Sequence, residues 1–597
     1  MKKTKKRDEI SERYKWRLES LYPNDGAWEK DFIEVGRILE LYGAYSGRLS
    51  ESAGVLLEAL ERKDELWRIT ERLYVYARMR KDEDNRNSHY QALLDRIQTL
   101  MAKVSAGLSF FVPEFIEIPE EKLAVFTSEE AGLKKYGHYI KALLREKAHV
   151  LSRPEENLIA QLSEVTSATG DIFGMINNAD MKFGGITDEA GDEMELTHGN
   201  YIAFMESKDR RVRKDAFTQM YDAYAAIRNT LAATYSYNTK NDVVSARIRR
   251  YPSSIEAALS GDNIAVSVYD SLIEAVNDRL GVLHRYLELR RRVMKLDELH
   301  MYDVYAPLFD IKQDAVSYDE AVAMMKRGLS VLGEEYVNTA AAGVEKGWID
   351  VYENEGKTSG AYSFGSYDSN PYILMNYSNK LKDVFTLVHE MGHSMHSWYT
   401  RRNQPFVYGG HSIFTAEVAS TVNESLLMQR LIAEADDPER KKYLLGMHIE
   451  EFRTTLFRQT MFAEFEKLTH EAVERGEALT ADKLSEDYYM LNRKYFGDNM
   501  SIDEDIAIEW ARIPHFYRAF YVYKYATGYS AASAISKGIL ENGTAAAEAY
   551  ISFLKTGESD DPIELLKIAG VDMSRPEPVL RAMDTFEGLV NELERLI

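Results

Sequence analysis

Residues 383–399 read DVFTLVHEMGHSMHSWY and carry the most informative pattern in the chain. Apolar side chains recur here at helical spacing, which predicts a helix with one buried face. These side chains are Val384, Phe385, Val388, Met391, Met395 and Trp398. Asp383 stands directly before them and is predicted to cap the helix N-terminus. His389 and His393 are four residues apart, so both imidazoles should project from the same face.

The pattern HExxH, formed by His389, Glu390 and His393, is the spacing with which a helix presents two ligands to one zinc ion. Glu390 projects a little round the helix, where it can act as a base on water without binding the metal. A hydrolytic zinc site also needs a third protein ligand and an open position for water. The alternative, two helix histidines that make ordinary hydrogen bonds, is disfavoured by the carboxylates that follow.

Residues 409–430, GGHSIFTAEVASTVNESLLMQR, predict a second helix that carries candidates for the third ligand. Glu417 follows His389 by enough chain for one helix to end, a glycine loop to turn and a second helix to pack alongside. We therefore expect Glu417 to bind the metal. His396 is the rival ligand, but it lies a further turn along the first helix. Glu424 is predicted either to orient a ligand histidine or to be a solvated helix carboxylate.

The composition limits the classes of function. Acidic residues outnumber basic ones by 96 to 74, which argues against general nucleic-acid binding because that needs a basic face. Since the chain has no cysteine, any metal must be held by histidines and carboxylates. The start, MKKTKKRDEI, lacks the apolar stretch of a secretory signal. The sequence contains no run of about 18 apolar residues, so no membrane span is predicted. We expect a cytoplasmic protein with no nucleic-acid or membrane partner.

Amphipathic helical periodicity covers most of the chain. It is clearest at Ala53–Arg80 and recurs at 88–109, 151–180, 209–247, 264–296 and 317–343. Two segments break this pattern. Residues 183–200 predict a hairpin or hinge, and residues 348–377 predict three short strands directly before the HExxH helix. The predicted fold is therefore mainly α, in several lobes, with a small β-sheet beside the zinc helix.

Three motifs together resemble one enzyme family. HEMGHSMH (389–396), GGHSIFTAEVASTVNE (409–424) and IPHFYRAFYVYKYATG (513–528) resemble the oligoendopeptidase F family of thimet oligopeptidase-like zinc metallopeptidases. The resemblance extends over almost the whole chain. It implies a mostly helical ellipsoid that encloses a deep channel, one zinc ion per chain, and cleavage of oligopeptides rather than folded proteins. The family's third zinc ligand falls on Glu417.

Three parts are predicted along the chain, since 597 residues are too many for one simple core. Residues 1–110 should form an N-terminal helical lobe. Residues 111–195 should form a helical region of the oligopeptidase N-terminal type that ends in the hairpin. Residues 196–597 should form the catalytic zinc metallopeptidase domain.

A second group of catalytic candidates lies in residues 513–528. Tyr517, Tyr521 and Tyr525 fall at i, i+4 and i+8, so one helix would carry a stripe of hydroxyl groups beside His515. Neutral O–H and N–H donors of this kind stabilise the negative oxygen that forms in peptide hydrolysis. We expect His515, Tyr521 and Tyr525 to do so. Two other tyrosines stay open as alternatives, Tyr523 and Tyr529, and so does an aromatic helix that only packs in the core.

The strand candidate GAYSFG, at residues 360–365, is predicted to bind substrate. A peptide can add to an exposed strand edge through main-chain hydrogen bonds, which tolerate any sequence. We expect Gly360, Ala361 and Tyr362 to contact the peptide, together with His411 in the glycine loop. The alternative is an ordinary edge strand that a loop protects.

The sequence thus predicts a zinc-dependent metalloendopeptidase that cleaves internal bonds of short peptides. A zinc ion held by His389, His393 and Glu417 would lower the pKa of water, and Glu390 would move the water proton to the leaving nitrogen. Two alternatives stay open: a related zinc exopeptidase, and a non-catalytic peptide-binding protein. The sequence does not predict an oligomeric state.

Overall fold

Helices dominate the structure, a computed structural model that describes residues 3–309 and 315–597. The first twelve α-helices of the described residues are α1 Asp25–Tyr42, α2 Ala53–Glu83, α3 Ser88–Leu108, α4 Phe111–Glu117, α5 Glu120–Glu129, α6 Gly137–Glu146, α7 Arg153–Met175, α8 His198–Met205, α9 Arg210–Ala226, α10 Arg228–Ile248, α11 Ser254–Ser260 and α12 Val266–Asn277. The others are α13 Leu280–Val293, α14 Tyr318–Gly328, α15 Glu334–Glu345, α16 Leu381–Asn403, α17 Ile413–Glu434, α18 Pro438–Phe452, α19 Arg458–Glu474, α20 Ala481–Phe496, α21 Tyr523–Asn542, α22 Thr544–Leu554, α23 Pro562–Ile568 and α24 Glu577–Leu596.

The chain forms two compact units, each built from three segments. Unit one comprises Met1–Val150, Gln313–Arg430 and Ile535–Val571. Unit two comprises Leu151–Lys312, Leu431–Ala534 and Asp572–Ile597. The prediction of a mainly helical fold is confirmed. The division at residues 1–110, 111–195 and 196–597 stays a prediction.

Helix α2 shows why the predicted helices of unit one form where they do. It begins after Ser52, whose side-chain oxygen accepts the backbone N–H of Val55, as an N-cap should. Four of its five leucines are fully buried, and the fifth, Leu57, packs partly buried against the same core, so one face of the helix builds the core. The buried leucines are Leu56, Leu60, Leu66 and Leu73. The predicted helix at 53–80 is confirmed.

One stretch of unit one, Ser88–Glu117, is long and apolar enough to cross a membrane by length and composition alone, with a mean hydropathy of 1.3. It contains α3 and α4, and the α3 side chains Leu93, Ile97 and Val104 are buried in the core cluster of unit one. One such helix is weak evidence for a membrane span, since a core helix passes the same test. The cytoplasmic location and the absence of membrane and nucleic-acid partners stay predictions.

A three-stranded sheet lies in unit one directly before α16. Its strands are β3 Ile349–Asp350, β4 Tyr362–Phe364 and β5 Tyr372–Leu374, in the order β3-β5-β4. The central strand β5 pairs parallel with β3 and antiparallel with β4, and Ile373 is opposite both Ile349 and Ser363. All three β5 residues are buried, as expected of a strand covered on both faces. The three strands predicted at residues 348–377 are confirmed, and β4 is an edge strand of this sheet.

Unit two contains the predicted hairpin and a buried ionic cluster. Strands β1 Gly185–Thr187 and β2 Glu193–Glu195 pair antiparallel, with Ile186 opposite Met194. In the helical core, the fully buried carboxylate of Glu509 lies 2.6 Å from the guanidinium of Arg458 and accepts a 2.6 Å hydrogen bond from the Tyr488 hydroxyl. Burial alone would raise the pKa of Glu509, but the neighbouring arginines hold it at about 2.

Candidate metal centre and its surroundings

Helix α16 carries the HExxH pattern and begins one turn earlier than predicted. Its N-cap is Lys380, and Asp383 lies at the third helical position. From there the Asp383 carboxylate accepts the backbone N–H groups of Ser378 at 2.7 Å and of Lys380 at 3.0 Å. The prediction that Asp383 is the N-cap is therefore wrong. A carboxylate at the third position can reach back to the N-cap N–H, as in a capping box.

His389, His393 and Glu417 bring one ligand atom each to a common point in unit one. The Nε2 atoms of the two histidines are 3.2 Å apart, and Glu417 Oε2 lies 3.5 Å from His389 Nε2 and 3.6 Å from His393 Nε2. Zinc bonds of about 2.0–2.1 Å at tetrahedral angles place neighbouring ligand atoms about 3.3 Å apart. The three atoms therefore have the spacing and the chemistry of a His-His-Glu metal site.

Each ligand histidine also hydrogen-bonds a group outside the three candidate ligands His389, His393 and Glu417, which are called the triad below. His389 Nδ1 lies 2.9 Å from Glu424 Oε2, and the His393 ring hydrogen-bonds the backbone of Ala416. Burial alone would lower the pKa of His389, but the hydrogen bond to Glu424 and the negative charges of Glu424, Glu390 and Glu417 together outweigh it and raise the pKa. Burial and the nearby His389 lower the pKa of His393. With Nδ1–H donated to Glu424, the His389 Nε2 lone pair faces the triad, which is the arrangement that metal-ligating histidines use.

Gly392 explains how α17 approaches α16 closely enough to deliver both glutamates. A Cβ at Gly392 would lie 2.5 Å from the Ser420 Cα and 2.6 Å from the Ala419 carbonyl oxygen. The contact is locked by Asn423, whose amide donates to the Val388 carbonyl at 3.3 Å. Sequence reasoning did not assign these contacts. A glycine in the middle of a helix is a signal that could have found the first of them, because it costs stability unless another backbone needs the space.

Glu390 is nearly buried, with 7% of its surface exposed. Its carboxylate accepts the backbone N–H of Ser363 in β4, and burial raises the pKa of Glu390 to about 7. The Ser363 hydroxyl also lies 2.8 Å from the Ser394 hydroxyl on α16. The edge strand is thereby attached to the helix at the catalytic candidate itself.

His396 and His411 form a separate pair beside the triad. His396 is 3% exposed, and its ring centroid lies 3.7 Å from that of His411. His411 Nε2 lies 3.0 Å from the Thr400 hydroxyl, and burial lowers the pKa of His411 to about 3. His411 thus joins the glycine loop to α16. Its predicted contact with substrate stays a prediction, and His396 is outside the group of converging ligand atoms.

The residues that lead into β4 are clamped by two polar side chains that sequence reasoning missed. Asp82 at the end of α2 accepts the Thr358 hydroxyl at 2.9 Å and the Tyr362 hydroxyl at 2.8 Å. The Asn376 amide donates to the carbonyls of Thr358 at 3.0 Å and Gly360 at 2.9 Å. Gly360 has φ +82°, a conformation that favours glycine. No local signal links Asp82 to this segment, since almost 280 residues separate them.

His515, Tyr521 and Tyr525 lie together in unit two. His515 Nε2 is 3.4 Å from the Tyr525 hydroxyl, and the His515 and Tyr521 rings stack at 6.0 Å. Burial and the nearby Arg518 lower the pKa of His515, which favours the neutral form of the ring. The prediction that residues 513–528 form one helix is wrong. A short 3₁₀ helix, Pro514–Tyr517, ends before a turn, and α21 begins only at Tyr523.

The other tyrosines of this segment, and Tyr529 just after it, pack against aromatic side chains of unit two. Tyr517 stacks on Phe173 at 4.4 Å, and Tyr523 packs against Tyr269 at 4.9 Å. Tyr529 is 8% exposed. Tyr517, Tyr521 and Tyr525 are half-buried, whereas Tyr523 and Tyr529 are buried. Of the half-buried three, Tyr521 and Tyr525 are the two whose rings contact His515.

The model of Peptidase family M3 matches residues 203–585, and that of Oligopeptidase F matches residues 114–183. The chain belongs to peptidase family M3. It is 48% identical to Oligopeptidase PepF of Bacillus subtilis over 99% of this chain and 88% of that protein. It is 42% identical to Group B oligopeptidase PepB of Streptococcus agalactiae, over 99% of this chain and 98% of that protein. A solved structure of oligoendopeptidase-F from Enterococcus faecium has a TM-score of 0.75 and 38% identity, and covers 96% of this chain and 99% of that chain.

The resemblance to the oligoendopeptidase F family is therefore confirmed. This member of peptidase family M3 is an enzyme, a metalloendopeptidase of the oligopeptidase kind, and its substrates are oligopeptides. Its sequence carries the HExxH pattern on α16, where the structure has a His-His-Glu group suited to a metal. The helical fold with a small sheet beside α16 is that of the family.

Proposed function

We propose that this member of peptidase family M3 cleaves internal bonds of short peptides with one zinc ion held by His389, His393 and Glu417. The observation that carries the proposal is the mutual spacing of 3.2, 3.5 and 3.6 Å between the three ligand atoms. Two imidazole nitrogens and a carboxylate oxygen at this spacing match the donor set and the geometry that zinc prefers in proteins. When bound, zinc supplies a Lewis acid that activates water and polarises the peptide carbonyl.

Glu390 is the proposed general base and acid. It follows His389 directly on α16, but its carboxylate is not among the three converging ligand groups. The carboxylate can therefore accept a proton instead of binding the metal. It takes a proton from the attacking water and delivers it to the leaving nitrogen. The N–H of Ser363 holds the carboxylate in one orientation, so Glu390 need not reorganise during turnover.

The open edge of β4 is the proposed binding site for the peptide backbone. In an antiparallel pair, alternate residues direct their N–H and C=O groups to opposite edges. The N–H of Ser363 meets Glu390, which puts Ser363, and with it Ala361, on the edge away from β5. A peptide that adds a strand along Gly360, Ala361 and Tyr362 would then run beside the general base. The clamp formed by Asp82 and Asn376 supports this role because it keeps that edge rigid.

His515, Tyr521 and Tyr525 are the proposed donors to the negatively charged oxygen of the tetrahedral intermediate. Their clustering supports the assignment, since three neutral donors meet in one half-buried group of unit two. Neutral donors stabilise a developing negative charge without a proton transfer of their own.

The experiment is cleavage of an internally quenched peptide that is blocked at both ends. A peptide of about nine residues is long enough to extend along β4 on both sides of the scissile bond. We expect chelator-sensitive internal cleavage by the wild type. Glu390→Gln should keep one zinc per chain while turnover falls by about 10²–10⁴-fold, the usual contribution of acid–base catalysis. Glu120→Gln, which alters an exposed carboxylate on α5, is the matched control and should keep full activity.

The outcomes separate the parts of the proposal. Turnover by Glu390→Gln within threefold of wild type would refute the assignment of the base. Cleavage of unblocked peptides alone would favour an exopeptidase. Stoichiometric zinc with no cleavage of either kind would favour a peptide-binding protein.

A further inference from the structure

The backbone between His515 and α21 contains a conformation that its residue type disfavours. Phe520 has φ +52°, in the left-handed region where the Cβ of an L-residue crowds the neighbouring carbonyl oxygen. This turn replaces the continuous helix that the tyrosine spacing predicts. Because the chain turns here, Tyr521, which follows the turn, and Tyr525, in the first turn of α21, both lie beside His515.

Glu466 on α19 holds this turn through a single contact. Its Oε1 atom accepts the backbone N–H of Phe520 at 2.8 Å. Glu466 is fully buried, and its Oε2 atom has no hydrogen-bond partner among the residues that the structure describes. The Phe520 ring is buried as well, against His470 at 4.5 Å and Tyr269 at 5.6 Å.

Burying a carboxyl group with one unbonded oxygen costs folding free energy. An apolar side chain of the same size would avoid that cost. Burial raises the pKa of Glu466 well above its ordinary value, against the lowering effect of the Phe520 N–H. Burial therefore favours the protonated form of the carboxyl group over the charged form. The left-handed turn leaves the buried N–H of Phe520 without a partner in a helix or strand. Glu466 Oε1 supplies the missing acceptor.

From this geometry we propose that Glu466 is a positioning residue that latches the Phe520 turn and thereby places Tyr521 and Tyr525 beside His515. The inference rests on the proposed oxyanion role of these three residues. The start of α21 has its own anchor, since Lys524 binds Asp262 at 2.7 Å. The latch therefore acts on the turn itself rather than on the helix.

Two substitutions separate the latch from bulk packing. Glu466→Gln keeps the shape and an oxygen that can accept the Phe520 N–H, so its kcat should stay within about threefold of wild type. Glu466→Met keeps the volume and loses the acceptor. Since a displacement of about 1 Å in a catalytic group costs about 100-fold, we expect kcat to fall by about that factor, with KM within threefold and one zinc still bound.

A double-mutant cycle tests whether Glu466 acts through the tyrosines. In the Tyr521→Phe/Tyr525→Phe background, Glu466→Met should lower kcat by less than threefold, because coupled residues are not additive. Thr469→Val is the matched control. It removes two other buried hydrogen bonds of α19, one at 2.8 Å to the Tyr235 hydroxyl and one at 3.0 Å to the backbone carbonyl of Glu466. It leaves the Glu466 carboxyl group in place, so it should lower the urea midpoint without changing kcat.

Each outcome decides one question. A full 100-fold effect of Glu466→Met in both backgrounds, or an equal loss in Glu466→Gln, would overturn the latch. If the tyrosine double variant and His515→Ala both turn over at the wild-type rate, the oxyanion assignment fails instead. Should Glu466→Met not fold, Glu466→Asp, whose shorter side chain cannot span the distance to Phe520, takes its place with the same expected results.

Discussion

Replacing Gly392 by alanine tests whether the approach of α17 to α16 builds the metal centre. The added methyl group would lie 2.5 Å from the Ser420 Cα and 2.6 Å from the Ala419 carbonyl oxygen. Both are backbone atoms of a helix, so no side-chain rotation relieves the contact. Carbon atoms pack at about 3.5–4.0 Å, which means that the two helices must separate by about 1 Å at this point.

A separation of this size should weaken metal binding strongly but lower the free energy of unfolding only moderately. Zinc sites tolerate deviations of about 0.2 Å in ligand distance, and Glu417 is the ligand that α17 carries. We expect zinc affinity to fall by about 10–100-fold, as when the groups that orient ligands are lost. Alanine gains about 1 kcal/mol of helix propensity over glycine, whereas overpacking costs about 1–3 kcal/mol. The net change in unfolding free energy is a loss of about 1 kcal/mol.

The assay is competition for zinc between the protein and a chromophoric chelator, with urea unfolding of the metal-free protein alongside. Gly36→Ala in α1 is the control, since a Cβ there would meet no atom of the described chain within 4 Å. It should stabilise the protein by about 0.4–1 kcal/mol and leave zinc affinity unchanged. Wild-type zinc affinity in Gly392→Ala would show that the close helix contact does not position Glu417.

Two further predictions concern carboxylates whose roles differ. Glu424→Leu removes the partner of His389 Nδ1 and should weaken zinc binding by about 10–100-fold, whereas Glu424→Gln keeps an acceptor and should weaken it less; equal affinity of all three proteins in the chelator assay would assign Glu424 no orienting role. Since the folded pKa of Glu509 is about 2 and a free glutamate titrates at about 4.3, Glu509 stabilises the fold above that pH and loses its contribution as the pH falls towards 2. In urea titrations the advantage of wild type over Glu509→Gln should therefore shrink between about pH 4.3 and 2, and a gap that stays constant with pH would contradict the ionised state of Glu509.

Periodic patterns predicted several elements of the fold correctly, although the tyrosine spacing at residues 513–528 predicted one helix where the chain turns. Helix α2, the hairpin of β1 and β2 and the three strands before α16 all form where hydrophobic spacing and turn residues indicate, because burial of one face determines them locally. Helix ends were less predictable. Asp383 reads as an N-cap and lies instead at the third helical position, since both positions stabilise a helix N-terminus and sequence does not distinguish them.

The metal candidates were predicted because HExxH is a local pattern and because Glu417 follows at the distance of one helical hairpin. The groups that support them were not. Asp82 accepts a hydrogen bond from Thr358, just before β4, although 276 residues separate the two in sequence. Glu466 contacts Phe520 only in the folded core of unit two. Such contacts leave no periodic trace, since each needs one polar side chain at one position of an otherwise ordinary helix.

Two positions where local preferences are broken also shape the candidate site. Gly392 weakens the middle of α16, and the gain is the approach of α17 with Glu417 and Glu424. Phe520 adopts a glycine conformation, and the gain is the convergence of Tyr521 and Tyr525 on His515. Selection for stability alone would remove both, because alanine and a continuous helix are better local choices. Their presence beside separate sets of candidate residues, one in each unit, is what a catalytic role for both sets predicts.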